Sequence, residues 1–145
     1  MNDSDFKQLL AKRKCDQPIW FALPADRCAS EDDISGFEQA WGLQLPGDYR
    51  QFLKAFGGGY FALGIVYSLD EASDLNLPRI NRAHPVIAQD HLLFSENGCG
   101  DFYGFKIENH QCRAEIFCFD HASAEWQETG YRNLLSFLAE VALSN

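Results

Sequence analysis

Chemistry in this chain would have to come from a few thiols, imidazoles and carboxylates. Cys99 stands between two glycines in the run Glu96-Asn97-Gly98-Cys99-Gly100-Asp101. A thiol in an open turn becomes a nucleophile when an imidazole activates it, and His84, His91 and His121 are the candidate bases. Nothing in their spacing fixes a distance to Cys99, and a thiol between glycines also suits a tight turn built from small residues. Glu96 and Asp101 flank the same turn and could share acid and base work. With 21 acidic residues such near pairs arise readily, and a solvated turn accounts for these two. A zinc site needs about four Cys, His or carboxylate ligands at suitable spacing. His110-Gln111-Cys112 and Cys118-Phe119-Asp120-His121 are the close groupings. Alternation along a strand would bring His110 and Cys112 to one face. A buried thiol beside a surface imidazole explains them more simply, since free cysteine commonly packs as a small hydrophobe. Gly57-Gly58-Gly59 lacks the Lys and the Ser or Thr that complete a phosphate-binding loop. No residue is therefore assigned to catalysis, to a metal or to a cofactor, and the chain is not read as an enzyme.

The elements that would position these groups are organised around residues 41 to 60. Gly42 follows the apolar series Ile34, Phe37 and Trp41 and reads as the left-handed residue that closes a helix. Pro46 is expected at the first position of the next helix, where its missing N–H has no partner to lose. Tyr49, Phe52, Leu53 and Phe56 share one face of that helix, and Gly57 stops it. Upstream, Ser30 is a hydroxyl cap, and Glu31, Asp32 and Asp33 fall in a first turn where the helix dipole favours them. That accounts for the acid cluster, although the same carboxylates could face a basic partner. Asn2, Asp3 or Ser4 starts a short N-terminal helix carrying Phe6, Leu9 and Leu10, and Lys12-Arg13-Lys14 complements its C-terminal end. Residues 15 to 29, with Pro18 and Pro24, are expected to be an extended connector whose aromatics tuck against the core.

Beyond the glycines the period changes from helix to strand. Residues 61 to 67 are expected as one strand, 68 to 85 as an irregular segment, and 86 to 95 as a second strand. Residues 101 to 107 and 114 to 120 pair across a turn at 108 to 113, a short strand near Trp126 continues the meander, and a closing helix carries Leu134, Phe137, Leu138 and Val141 on one stripe. The expected class is α+β, with N-terminal helices and a C-terminal helix packed on an antiparallel β-sheet.

Length and charge bound the role. The 145 residues suit one domain, 1–145, with a core of its own. A net charge of −9 disfavours a nucleic-acid backbone or an anionic membrane as partner and fits a basic protein, although acidity also serves solubility. Five cysteines with no C-x-x-C pair, and no basic-then-apolar leader, point to the cytoplasm. No apolar run approaches the roughly 18 residues of a membrane span.

Four segments resemble the SUKH superfamily, which takes in a fungal cell-wall assembly regulator and many bacterial immunity proteins of polymorphic toxin systems. They are Ile34-Ser35-Gly36-Phe37-Glu38 with Trp41-Gly42-Leu43, then Leu45-Pro46-Gly47-Asp48-Tyr49-Arg50 through Phe52-Leu53, then Asn97-Gly98-Cys99-Gly100-Asp101, and Ile116-Phe117-Cys118-Phe119-Asp120-His121 with Phe137-Leu138. Their order and spacing follow the family pattern from about residue 30 to residue 143, leaving 1–29 as an N-terminal helix and connector. The family's glycine turn usually follows an Asn, where this chain has Phe56. The resemblance implies the same α+β layout and a non-enzymatic binding module that covers the active site of a cognate toxin. Many such toxins are nucleases, whose clefts must be basic. It carries over no contact residues. Asp70, Glu71, Asp74, Glu96 and Asp101 are assigned as partner contacts on negative charge in expected loops alone. A scaffold or regulatory protein with an endogenous partner is the alternative, and a hydrolase using Cys99 and Asp101 is a third reading. Oligomeric state is not legible.

Overall fold

The computed structural model describes residues 1–145. Asn2 accepts the Asp5 N–H and opens α1 (Asp3–Asp16), which buries Phe6 and Leu10. The basic end of α1 is tied down, with Arg13 donating to the Leu143 carbonyl at 2.7 Å and Lys14 lying over the Phe21 ring. The connector that follows is helical at its start, and residues 22 to 30 carry no helix or strand. Pro18–Phe21 winds into a 3₁₀ turn, for which the fixed φ of a leading proline is suited. Of its aromatics Phe21 packs against the core, while Ile19 and Leu23 stand in solvent, 75% and 60% exposed.

Ser30 and Asp33 form a reciprocal capping box at the start of α2 (Glu31–Trp41), and Gly42 closes it at φ 62°. Pro46 proves to be the cap of α3 (Gly47–Phe56), one position before the site expected for it. Its ψ of 144° is still extended, so the first helical residue is Gly47. Asp48 accepts the Tyr49 and Leu134 N–H groups at 2.8 Å each, which ties α3 to the closing helix. The stop after Phe56 has a packing cause, because Gly57 sits at φ 78° and a Cβ there would strike the Asp26 backbone.

Residues expected as one strand are a hairpin of β1 (Gly59–Phe61) and β2 (Gly64–Val66). Ala62 turns the chain at φ 51°, and the turn is pinned by the C-terminus, since the Leu63 N–H donates to the Ala142 carbonyl at 3.0 Å. Gly64 lets Ala142 approach, because a Cβ there would lie 2.9 Å from the Ala142 Cβ. The irregular segment contains α4 (Leu77–Ala83), whose cap Asn76 accepts the Arg79 N–H and whose Pro78 falls in the first turn, where proline is tolerated. β3 (His91–Glu96) begins five residues later than Val86, which lies in turns and is 83% exposed. β4 (Phe102–Glu108) and β5 (Gln111–Asp120) are joined by Asn109-His110 alone, both at positive φ, a tighter turn than the expected 108–113. β6 (Glu125–Glu128) completes an antiparallel sheet in the order β3-β4-β5-β6, and α5 (Leu134–Val141) buries Leu134, Phe137 and Leu138.

Five helices and two antiparallel sheets thus give a mixed α+β fold. Its core is one cluster of 25 buried residues. At its centre Phe94 stacks on Phe105 with ring centroids 4.3 Å apart. The Tyr49 hydroxyl donates to the Tyr67 carbonyl at 2.7 Å, joining α3 to the segment after β2. No helix is long and apolar enough to cross a membrane.

Candidate functional site

A cleft of about 720 Å³ opens between α2 and the chain from Leu69 to Arg82. Two rows at helical spacing form the α2 wall, Asp32-Gly36-Ala40 and Asp33-Phe37-Trp41. The first row carries little bulk, and no heavy atom lies within 4 Å of where a Gly36 Cβ would be, so the cleft stays open there. In the second row Phe37 stacks on Trp41 with centroids 5.3 Å apart. The opposite wall is α4 and the loop before it. Arg79 donates to the Ser73 and Glu71 carbonyls at 2.7 and 2.9 Å and so shapes that loop, while Arg82 lies over the Trp41 ring at 5.4 Å.

The carboxylates of the cleft differ in how they are held. Asp33 accepts the Ser30 N–H and the Arg27 guanidinium, each at 2.9 Å, and these bonds hold its carboxyl below the usual range. Asp32 and Glu71 are exposed, and no cation lies within ion-pair distance of either carboxylate. Two open carboxylates in one cleft can receive an incoming Lys or Arg by charge, while the Trp41 ring is already engaged by Phe37 and Arg82. No Cys, His, Ser or Thr lines the cleft, and its charged side chains are Asp32, Asp33, Glu71, Arg79 and Arg82.

Of the five acidic residues picked from the sequence, Glu71 lies in this cleft, and Asp74 is exposed in the same loop with no hydrogen-bond or ion-pair partner for its carboxylate. Asp70 shapes that loop from within, accepting the Arg27 N–H at 2.9 Å and the Ala72 N–H at 3.0 Å, bonds that lower its pKa. Glu96 accepts the Tyr67 hydroxyl at 2.6 Å. Asp101 accepts the His121 N–H at 3.0 Å, its ring Nδ1 at 2.6 Å and the Asn97 amide at 2.9 Å. Its pKa falls below the usual carboxylate range, chiefly through the His121 N–H. No hydrogen bond or ion pair joins Glu96 and Asp101 to Asp70, Glu71 and Asp74. Asp32 is not among those five, although the helix-start acids, which the dipole favours, could also face a basic partner. A signal was present, because the salt-bridged Asp3 and Asp16 each have a Lys four residues away, whereas Asp32 has Gly36.

The thiol and imidazole candidates form no hydrogen-bonded pair, although the His121 ring lies close against Gly100, next in the chain to Cys99. His84 tilts against Phe102, His91 stacks under Trp126 at 3.9 Å and His121 pairs with Asp101, so no imidazole hydrogen-bonds the Cys99 thiol. Burial pushes the His91 pKa down to about 4. His110 occupies an exposed turn while Cys112 is buried, its thiol pushed up to about 12 by that burial. Asp101, Asp120 and His121 bring one ligand atom each within 4.8 Å of one another. Their bonds are internal, since Asp120 Oδ2 also accepts from the Ser123 N–H and hydroxyl. All five cysteines are free.

A family model described as SUKH_6, SMI1-KNR4 cell-wall, matches residues 31–138, which is 108 of the 145 residues. The chain belongs to this family. No curated protein matches the sequence. Among solved structures, the SUKH_6 chain is similar to a protein from Pseudomonas syringae pv. tomato, at 13% identity and a TM-score of 0.71, over 94% of this chain and 98% of that one. At that identity the likeness concerns the fold alone. Both walls of the cleft fall inside the SUKH_6 match, whereas α1 and the connector through Ser30 fall outside it.

Proposed function

We propose that this SUKH_6 protein works as one unit of residues 1–145 and as a non-enzymatic binding module, an immunity protein that neutralises a cognate bacterial toxin domain. A nuclease is the toxin class its charge fits, because a cleft that holds a phosphate backbone must carry Lys and Arg. The observation that carries this reading is the pair of unpaired carboxylates, Asp32 and Glu71, beside Trp41 on a chain of net charge −9. The long-range field steers a basic partner to the acidic face, and the open carboxylates then hold its side chains. Asp74 lies on the same loop as Glu71 and joins the contact. Asp70, Glu96 and Asp101 contribute to the field while their oxygens hold loops in shape. The site of action is the cytoplasm, where such a toxin would reach nucleic acid.

The test is to mix the protein with the toxin domain encoded beside it. A tight complex is expected, with an association rate that falls about tenfold between about 50 and about 200 mM salt. Absence of a complex at low salt overturns the reading. The family's cell-wall description favours a second one, a regulatory or scaffold protein with an endogenous partner. Gene order separates them, since an immunity gene lies directly downstream of a large toxin gene.

A further inference from the structure

Six large apolar side chains stand well exposed, and four of them, Ile19, Leu23, Tyr60 and Leu63, belong to the connector after α1 and to the β1–β2 hairpin. Scattered exposed apolar residues need no explanation, but a cluster on two adjoining segments does. Between these segments lies a second cleft of about 310 Å³, lined by Phe21, Phe56 and Phe61 and edged by Leu23, Pro24 and Tyr60. It is mostly apolar, with one cation at its margin. Lys14 lies over the Phe21 ring at 5.7 Å and has no carboxylate within ion-pair distance, whereas Lys7 and Lys12 of the same helix are each paired with an Asp.

Tyr60, at the edge of this cleft, also offers backbone groups. The hairpin register pairs Phe61 with Gly64 around a two-residue turn, and Tyr60 with Ile65. Antiparallel pairing alternates, so the pair beside a two-residue turn exchanges both hydrogen bonds and the next pair turns its N–H and C=O groups outward. On the β2 side the outward Ile65 carbonyl accepts the Ser95 hydroxyl, as that alternation requires. On the β1 side the outward N–H and C=O of Tyr60 meet no backbone group outside the hairpin. The preceding outward residue, Gly58, accepts the Asp26 N–H at 2.9 Å, so the connector covers that end of the edge and leaves one free donor and acceptor pair, at Tyr60, beside an apolar cleft.

We propose that this cleft is a second docking site, which takes an extended segment of an acidic partner protein by strand addition. The segment hydrogen-bonds the Tyr60 edge, seats one large apolar side chain against Phe21 and Phe61, and presents a carboxylate to Lys14. The charge preference is opposite to that of the α2–α4 cleft, so the occupant is not the basic partner proposed above, and the two sites are separable by experiment.

The probe is a capped hexapeptide with Val and Leu at alternate positions and Glu at its C-terminal end, titrated into the full-length 15N-labelled protein. Amide shifts are expected at Tyr60 and Phe61, with affinity about fivefold higher than for the same peptide bearing Lys in place of Glu. That preference disappears in Lys14→Gln, and Leu23→Glu abolishes binding at an unchanged melting temperature, since Leu23 is 60% exposed. Should Leu23→Glu lower the melting temperature, the loss of charge preference in Lys14→Gln decides alone. The proposal fails if Tyr60 does not shift, if the shifts map to Asp32 and Glu71, or if Lys14→Gln keeps the preference. It also fails if sedimentation shows a dimer that Leu23→Glu dissociates, which would make the occupant a second copy of this chain.

Discussion

The loop from Ser68 to Asn76 and the turn from Glu96 to Asp101 are alike in charge and differ in what their carboxylates are doing. In the turn, Glu96 holds the Tyr67 hydroxyl, and Asp101 holds His121 and Asn97. In the loop, Asp70 alone is engaged, by the Arg27 and Ala72 N–H groups, while Glu71 and Asp74 face solvent without a partner. A carboxylate already engaged by hydrogen bonds is held in place and has fewer acceptor positions left for a partner's cation, whereas an unpaired one has all of them. The turn therefore uses its acids to fold, and the loop leaves two of its acids free to bind.

Both regions depend on the same core, and the largest expected effect breaks both at once. Phe52 is 2% exposed and packs edge-on against Phe61 at 5.0 Å. Phe52→Ala should cost about 3–5 kcal/mol, as large core truncations do, and should lose binding by unfolding. Thermal melting checks it. A variant that kept its melting temperature but lost binding would place Phe52 in a contact surface.

A smaller effect separates the two regions. Tyr67→Phe keeps the buried ring and removes the donor to Glu96, so denaturant unfolding should show a loss of about 1–2 kcal/mol. The association rate with a basic partner should be unchanged, because neither Asp32 nor Glu71 is touched. A Tyr67→Phe protein of native stability would mean that Glu96 is as free as Glu71, and the contrast would collapse.

What was legible in the sequence follows the same division. The capping box at Ser30 and Asp33, the closing Gly42 and the stripe Tyr49-Phe52-Leu53 are set by neighbours within one or two helical turns, so local pattern suffices. The hairpin at 59–66 was read as one strand because its turn falls at Ala62-Leu63, which carries no glycine and is held from Ala142, some 80 positions away. α4 was hidden by Pro78, which reads as a breaker until Asn76 is seen to cap the helix and place it in the first turn. Which carboxylates stand without a partner, as Asp32, Glu71 and Asp74 do, is not legible in the sequence, since freedom from partners is a tertiary property. The cleft itself needs α2 and α4, which lie more than 30 residues apart in the chain.

Titration tests the folding role assigned to the turn. Hydrogen bonding to Asp101 raises the His121 pKa above its ordinary 6.5, and Asp101 lies below its ordinary 3.8, chiefly through the His121 N–H. The histidine's contribution is fully present below 6.5 and is lost as pH rises through its raised value. The carboxylate's contribution is present above 3.8 and is lost as pH falls through its lowered value. The pair is therefore intact between those two folded-state values. NMR of the His121 ring should give a midpoint above 6.5 that drops in Asp101→Asn. A wild-type midpoint at or below 6.5 would show an Asp101 as unengaged as Glu71.

Glu71→Gln is the converse test and should have the smallest effect on the fold. Its carboxylate has no partner, so stability should change by less than about 0.5 kcal/mol, as for surface substitutions remote from any network. The association rate with a basic partner at low salt should nonetheless fall, since a rim charge acts mainly on encounter, and the fall should shrink as salt screens the field. Combining Glu71→Gln with Asp32→Asn should slow association further, whereas adding Glu96→Ala should lower stability as Tyr67→Phe does, because each removes one end of the same hydrogen bond. Stopped-flow rates and denaturant midpoints on the same samples read both quantities. If Glu71→Gln lowered stability and left the rate alone, the loop would be another folding device like the turn, and the free carboxylates of the α2–α4 cleft would have no binding role.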